Sequence, residues 1–115
     1  YYAAAKGLDG FLRWAFVNWP RDPLYDSSFG PWPAGDTFFL YPGPRSSVRW
    51  EMLRDGIEEA EKIRALRAAG AETPELKAAL AAFDFKTAEK SDAAALTAQV
   101  QRARRAVEDA ARSLR

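Results

Sequence analysis

A near-continuous apolar run lies close to the start of the chain. Residues 11–17, FLRWAFV, are bounded by Gly10 and by the sequence NWP. Such a run, rich in aromatic residues, is typical of a strand buried on both faces of a parallel sheet that helices cover. Its one charge, Arg13, needs a buried partner or a place at the edge of the strand. The pattern therefore predicts one buried β-strand.

A second short strand is predicted over residues 36–41, DTFFLY, which end at the sequence PGP. Four prolines within residues 18–35 exclude a long helix between the two strands, although these residues could still form an irregular crossover. We expect the first strand to be the last strand of a barrel. The second strand is then an addition within the loop that follows it.

The pattern changes to apolar spacings of three and four from residue 46 onward, which indicates helices. We expect Ser46 or Ser47 to cap a helix that runs to about Ala69. Its apolar stripe comprises Trp50, Leu53, Ile57, Ala60, Ile63 and Leu66. Its acidic residues are expected on the solvated side of the helix, and they include Glu58, Glu59 and Glu61.

Two further helices are predicted in the last third of the chain. The sequence Thr73-Pro74-Glu75 is a strong start signal for a short helix through Phe83. After a loop over residues 84–91, a final helix begins at about Asp92. Its apolar seam comprises Leu96, Val100, Ala103, Val107, Ala110 and Leu114. We expect this seam to pack against a face formed by Leu76, Leu80 and Phe83.

Composition separates the chain into two unlike halves. Residues 1–50 hold 13 of the 15 aromatic residues and six of the seven prolines, whereas residues 51–115 are rich in Ala, Glu, Arg and Lys. The first half is therefore predicted as strand and structured loop, and the second as helix. Residues 1–6 resemble the last turn of a helix closed by Gly7, so we expect the chain to begin within a fold.

Several function classes are excluded by the absence of Cys and His. The chain has no thiolate nucleophile, no imidazole base and no usual zinc ligands, so acid–base chemistry must rest on carboxylates, Lys or Tyr. A net charge of +1 gives no case for nucleic acid or an anionic membrane as a partner. We expect no cofactor and no metal. The sequence does not decide the cellular compartment, and an extracytoplasmic location is one of the alternatives.

Aromatic and polar side chains concentrate at the end of the first predicted strand and in the loop after it. The candidate binding residues are Trp14, Asn18, Trp19, Asp36 and Tyr41. A sugar needs this chemistry, because its C–H face stacks on aromatic rings and its hydroxyls take directed hydrogen bonds. The structural alternatives are that Trp14 belongs to the core, that Trp32 packs the loop, and that Asp36 caps a turn. The basic residues 102, 104 and 105 are expected to form a solvated helix face.

Three blocks of sequence resemble a known family. The blocks are GLDGFLRWAFVNWP, then WPAGDTFFLYPG, then RSSVRWEMLRDGIEEAEKIRALR. In the same order and at similar spacings they resemble the C-terminal segment of bacterial glycoside hydrolases similar to family 123, the region catalogued as domain of unknown function 4091. The resemblance spans about residues 1–69.

The resemblance implies an α/β fold, the C-terminal portion of a (β/α)8 (TIM) barrel. Residues 1–69 would supply the final strand, a loop and the closing helix, and residues 70–115 a helical hairpin as a C-terminal extension. The implied activity is hydrolysis of β-linked N-acetylhexosaminides by a retaining mechanism that uses the substrate's acetamido oxygen as nucleophile, an exception to the two-carboxylate scheme. The alternatives are a non-catalytic carbohydrate-binding segment and a purely structural closing segment.

The catalytic Asp-Glu pair of that family is expected upstream, outside these residues. The adjacent acidic pairs here, Glu58-Glu59 and Glu108-Asp109, lie on predicted helices in the wrong order, so no catalytic residue is assigned. The resemblance implies a sugar-binding wall to which the matching positions Trp14, Asn18, Trp19, Asp36 and Tyr41 contribute. Expected partners are a carbohydrate substrate and the rest of the barrel, and the isolated chain is expected to self-associate through its apolar run.

Overall fold

The computed structural model describes residues 1–43, 45–84 and 92–114, and the chain divides into two compact units. The helical unit comprises Tyr1–Phe11 and Gly56–Arg115, and the loop unit comprises Leu12–Asp55. Four helices are described: α1 (Tyr2–Lys6), α2 (Val48–Ala68), α3 (Pro74–Ala81) and α4 (Ala93–Arg112). None of the described helices is long and apolar enough to cross a membrane. The loop predicted over 84–91 lies outside the described residues, apart from Asp84.

The predicted helix starts are confirmed at three caps. Ser47, not Ser46, caps α2, because its Oγ accepts a hydrogen bond from the Trp50 backbone N–H at 3.1 Å. Thr73 caps α3 in the same way and is followed by a proline in the first turn. Asp92 caps α4 by accepting from the Ala95 N–H at 2.7 Å. Each cap satisfies a backbone donor that the helix itself leaves unpaired.

The core of the helical unit lies where α2, α3 and α4 present their apolar sides. Its buried members are Ile63, Leu66, Leu76, Leu80, Val107 and Ala110. This confirms the predicted packing of the α4 seam on the α3 face in its central part, whereas Leu114 at the end of the seam is exposed. Each fully buried Leu, Ile or Val side chain contributes about 1.5–3 kcal/mol of transfer free energy, so this cluster stabilises the unit.

In the middle of α2, the buried positions differ from those of the predicted apolar stripe. Ile57 is exposed and Glu59, expected in solvent, is only 6% exposed. Glu59 lies four residues before Ile63 and seven before Leu66, so the helix period places it on the same face as these two core residues. The prediction of a solvated Glu59 is therefore wrong.

The predicted α/β fold, a portion of a (β/α)8 barrel with one or two strands, is also wrong. Among the described residues, 11–17 and 36–41 form no sheet, and the strand pairing between them is one isolated antiparallel bridge between Val17 and Phe38. A buried barrel strand needs hydrogen-bonded neighbours on both sides, whereas residues 11–17 have one short antiparallel neighbour. Large apolar side chains of this run are accordingly exposed, with Phe11 at 64% and Leu12 at 95%.

Candidate functional site

The predicted site residues lie on two short segments of the loop unit that pair with each other. Phe39 N–H donates to the Phe16 carbonyl at 2.8 Å, and Asn18 N–H donates to the Thr37 carbonyl at 3.0 Å. The Thr37 hydroxyl returns a hydrogen bond to the Asn18 carbonyl at 2.6 Å. Because Thr37 and Phe38 are fully buried, these bonds fix both segments on the small core of this unit.

Trp14 lies on the surface of the loop unit, packed against a second indole. The ring centroids of Trp14 and Trp32 are 5.4 Å apart and the rings are tilted by 37°. Trp14 is 56% exposed and Trp32 is 48% exposed. Trp14 is therefore no core residue of this unit, and Trp32 contacts Trp14 while about half of its surface stays exposed. The sequence offered no signal for this pair, because the two residues are 18 positions apart.

Asp36 forms an ion pair with Arg13. The Arg13 guanidinium contacts the Asp36 carboxylate and also donates to the Asp36 backbone carbonyl at 2.6 Å. This confirms the expectation that Arg13 needs a partner, although both side chains keep about 30% of their surface exposed. The side chain that caps a turn is instead Asp26, which accepts from the Ser28 N–H at 2.9 Å. That backbone hydrogen bond lowers the pKa of Asp26.

Trp19, Tyr41 and Asn18 keep part of their side-chain surface exposed. Trp19 Nε1 donates to the Leu40 carbonyl at 2.6 Å, so its polar atom is used while the ring stays 39% exposed. Tyr41 packs edge-on against Phe38, with ring centroids 5.1 Å apart. The Asn18 side chain is exposed. These three side chains retain surface with which to contact a ligand.

Arg49 has a structural role in the loop unit that the sequence interpretation missed. Its guanidinium lies over the Phe38 ring at 4.9 Å from the centroid, and its Nε donates to the Phe38 carbonyl at 3.1 Å. A Cβ atom at Gly35 would lie 2.6 Å from Arg49 Nη1, so the absence of a side chain at Gly35 makes room for the guanidinium. Arg49 Nη2 is buried and has no hydrogen-bond partner among the residues that the structure describes. Arg49 thus holds Phe38 through both its backbone carbonyl and its ring.

The buried carboxylate of the helical unit is held as an ion. Tyr1 OH donates to Glu59 Oε2 at 2.9 Å, and Lys62 Nζ contacts Glu59 Oε1 at 2.7 Å. Burial opposes ionisation of Glu59, but the hydrogen bonds from Lys62 and Tyr1 and the charge of Arg104 outweigh it and lower the pKa of Glu59. Burial and the neighbouring carboxylate of Glu59 raise the pKa of the Tyr1 side-chain hydroxyl to about 12. A carboxylate held in this way cannot serve as a general acid near neutral pH.

In the described part of the chain, no group of three or more acidic side chains converges to hold a metal ion. In the loop unit, Arg13 pairs with Asp36 and Arg54 pairs with Glu51, and Asn18 adds an exposed amide side chain. Such groups can hold a ligand through hydrogen bonds.

Comparison with known families supplies the class of protein. Residues 1–66 match the family model described as glycoside hydrolase 123, catalytic domain, over more than half of the chain. The chain therefore belongs to the glycoside hydrolase 123 family. No curated protein and no solved structure matches the chain. The match ends within α2, so it includes the whole loop unit and leaves out α3 and α4.

Proposed function

We propose that this chain forms part of the substrate-binding wall of a glycosidase that hydrolyses β-linked N-acetylhexosaminides, such as N-acetylgalactosaminides. Family membership supports the reaction class. The observation that carries the binding role is the exposed Trp14 ring, which adjoins in sequence the Arg13 that pairs with Asp36. The C–H face of a pyranose stacks on such a ring, while its hydroxyls bond to nearby charged and amide groups.

The five proposed sugar-binding residues differ in how much exposed surface they offer to a ligand. Trp14 presents the most exposed ring of the set and is the primary contact. Trp19, Tyr41 and Asn18 offer smaller surfaces at the paired segments. Asp36 contributes through its ion pair with Arg13, which fixes both side chains and leaves part of each open to hydroxyl groups.

The catalytic carboxylates are proposed to lie outside these 115 residues. Of the adjacent acidic pairs, Glu58-Glu59 includes a buried, ion-paired carboxylate, and Glu108-Asp109 lies on α4, which the family match does not reach. In the proposed mechanism the acetamido oxygen of the substrate attacks the anomeric carbon while a carboxylic acid protonates the departing oxygen. Water then opens the cyclic intermediate with that carboxylate as base, which retains the anomeric configuration. The polypeptide that carries these carboxylates is the proposed partner of the loop unit.

The test is substitution of Trp14 in a full-length protein that contains the catalytic carboxylates. We expect Trp14→Ala to lower kcat/KM for an aryl N-acetyl-β-galactosaminide about tenfold, a typical cost of losing one aromatic contact. Tyr25→Ala is the matched control, because Tyr25 is an aromatic residue of the same loop unit and is 90% exposed. Unchanged hydrolysis by a folded Trp14→Ala variant would refute the binding role. Sugar binding without hydrolysis by the unsubstituted protein would favour the carbohydrate-binding alternative.

A further inference from the structure

Trp32 is presented by a turn with little conformational freedom. Its backbone N–H donates to the Phe29 carbonyl at 3.3 Å, and the turn contains Gly30 at φ 59°. Prolines on both sides of Trp32 restrict the backbone further. The next hydrogen bonds, from Gly35 N–H to the Ser27 carbonyl at 2.9 Å and from Asp36 N–H to the Pro33 carbonyl at 2.9 Å, close the loop on itself. Little entropy is therefore lost when this indole binds a ligand.

The distance between the two indoles decides how a ligand can use them. A sugar held between two rings needs van der Waals contact on both sides, which separates the rings by about 7–8 Å. The centroids of Trp14 and Trp32 are only 5.4 Å apart, so the rings touch each other and leave no slot. Both rings are nevertheless about half exposed, so they form one bent aromatic surface.

We infer that Trp14 and Trp32 together form a single sugar-stacking surface, in which Trp32 is a second substrate-contacting residue. This inference rests on the proposed function. The occupant is a pyranose ring, because the chain belongs to a glycoside hydrolase family and the residue before Trp14 carries an ion pair with about 30% of each side chain exposed. A purely apolar partner would gain nothing from that ion pair, whereas sugar hydroxyls bond to both charges.

The experiment follows the indole N–H signals of the 115-residue chain by NMR during titration with N-acetylgalactosamine. We expect the Trp14 and Trp32 signals to shift together and saturate. Trp32→Ala should weaken the binding about five- to tenfold, and Trp32→Phe, which keeps an aromatic face, should recover most of it. Glycerol at equal concentration serves as the control for a polyol that has no ring. Assignment uses Trp-to-Phe variants.

Two outcomes separate this inference from the proposed function. If Trp14 responds to the sugar equally in the unsubstituted chain and in Trp32→Ala, Trp32 is not part of the surface and the inference is overturned while the proposed function stands. If neither indole signal shifts in the folded chain up to the solubility limit of the sugar, both the inference and the binding role of Trp14 are overturned. Equal dispersion of the backbone amide signals in the variants establishes that each remains folded.

Discussion

Substitution of Gly35 by Ala tests the packing of Arg49, on which the loop unit depends. Gly35 adopts φ 76°, a conformation that a residue with a Cβ adopts at a cost of about 1–2 kcal/mol. The new methyl group would also lie 2.6 Å from Arg49 Nη1 and 2.8 Å from its Cζ. Arg49 must therefore move away, and its hydrogen bond to the Phe38 carbonyl and its position over the Phe38 ring are lost.

The expected cost follows from these separate losses. The hydrogen bond is worth about 0.5–1.5 kcal/mol and the cation–π contact about 0.5–1 kcal/mol. Together with the backbone strain, Gly35→Ala is expected to lower the free energy of unfolding of the loop unit by about 2–4.5 kcal/mol. Gly43→Ala is a matched control, because Gly43 has φ 75° and a Cβ there would meet no atom of the described chain within 4 Å, its chain neighbours aside. It should cost only the strain, about 1–2 kcal/mol.

Tryptophan fluorescence during urea unfolding is the appropriate assay. All four Trp residues, at positions 14, 19, 32 and 50, lie within Leu12–Asp55, so their emission reports the loop unit alone. Equal costs for Gly35→Ala and Gly43→Ala would show that Arg49 does not pack against Gly35 as described. In a chain that already carries Arg49→Ala, the extra cost of Gly35→Ala should fall to the strain alone, which gives a second check.

Two further predictions concern the helical unit and use far-UV circular dichroism, because most helical residues lie there. The pKa of Glu59 is below its ordinary value of 4.5 in the folded chain, so its contribution to stability is present above that pH and is lost as the pH falls. Glu59→Gln should therefore flatten the loss of stability in acid, at a cost of about 1–2 kcal/mol near neutral pH, and the exposed Glu61→Gln should leave the acid profile steep. A profile equally steep in both variants would contradict this role. Leu76→Ala, at a fully buried position, should cost about 2–5 kcal/mol, whereas Leu114→Ala should cost under about 0.5 kcal/mol; similar costs would contradict the assigned core.

The helices could be predicted from the sequence because their signals are local. A cap such as Thr73 or Asp92 acts within three residues, and the apolar period then follows along one chain. The position of Glu59 could not be read in the same way. Its charge favours solvent, and its burial is made tolerable by Lys62, by Tyr1, which lies 58 positions away, and by the charge of Arg104.

The run at residues 11–17 does not form the predicted strand, because apolar composition indicates what a segment can bury and not what covers it. Within the described chain the backbone of this run is hydrogen-bonded to residues 36–41 only at Phe16, with Asn18 directly after it, so the run remains irregular and most of its side chains are exposed. In the loop unit, the sequence predicts the need of Arg13 for a partner, which the structure supplies. It could not predict the contact of Trp14 with Trp32 or that of Arg49 with Phe38, because loops and turns create these contacts between distant positions.

The hydroxyl of Ser47 restricts which residues evolution can place there. It accepts from the Trp50 N–H at the start of α2 and also donates to the Phe39 carbonyl. Asp, which caps helices as well as Ser does, has no proton to donate when ionised and would set a negative charge against that carbonyl. In this family, position 47 should therefore exchange between Ser and Thr and exclude Asp, although helix capping alone would admit all three.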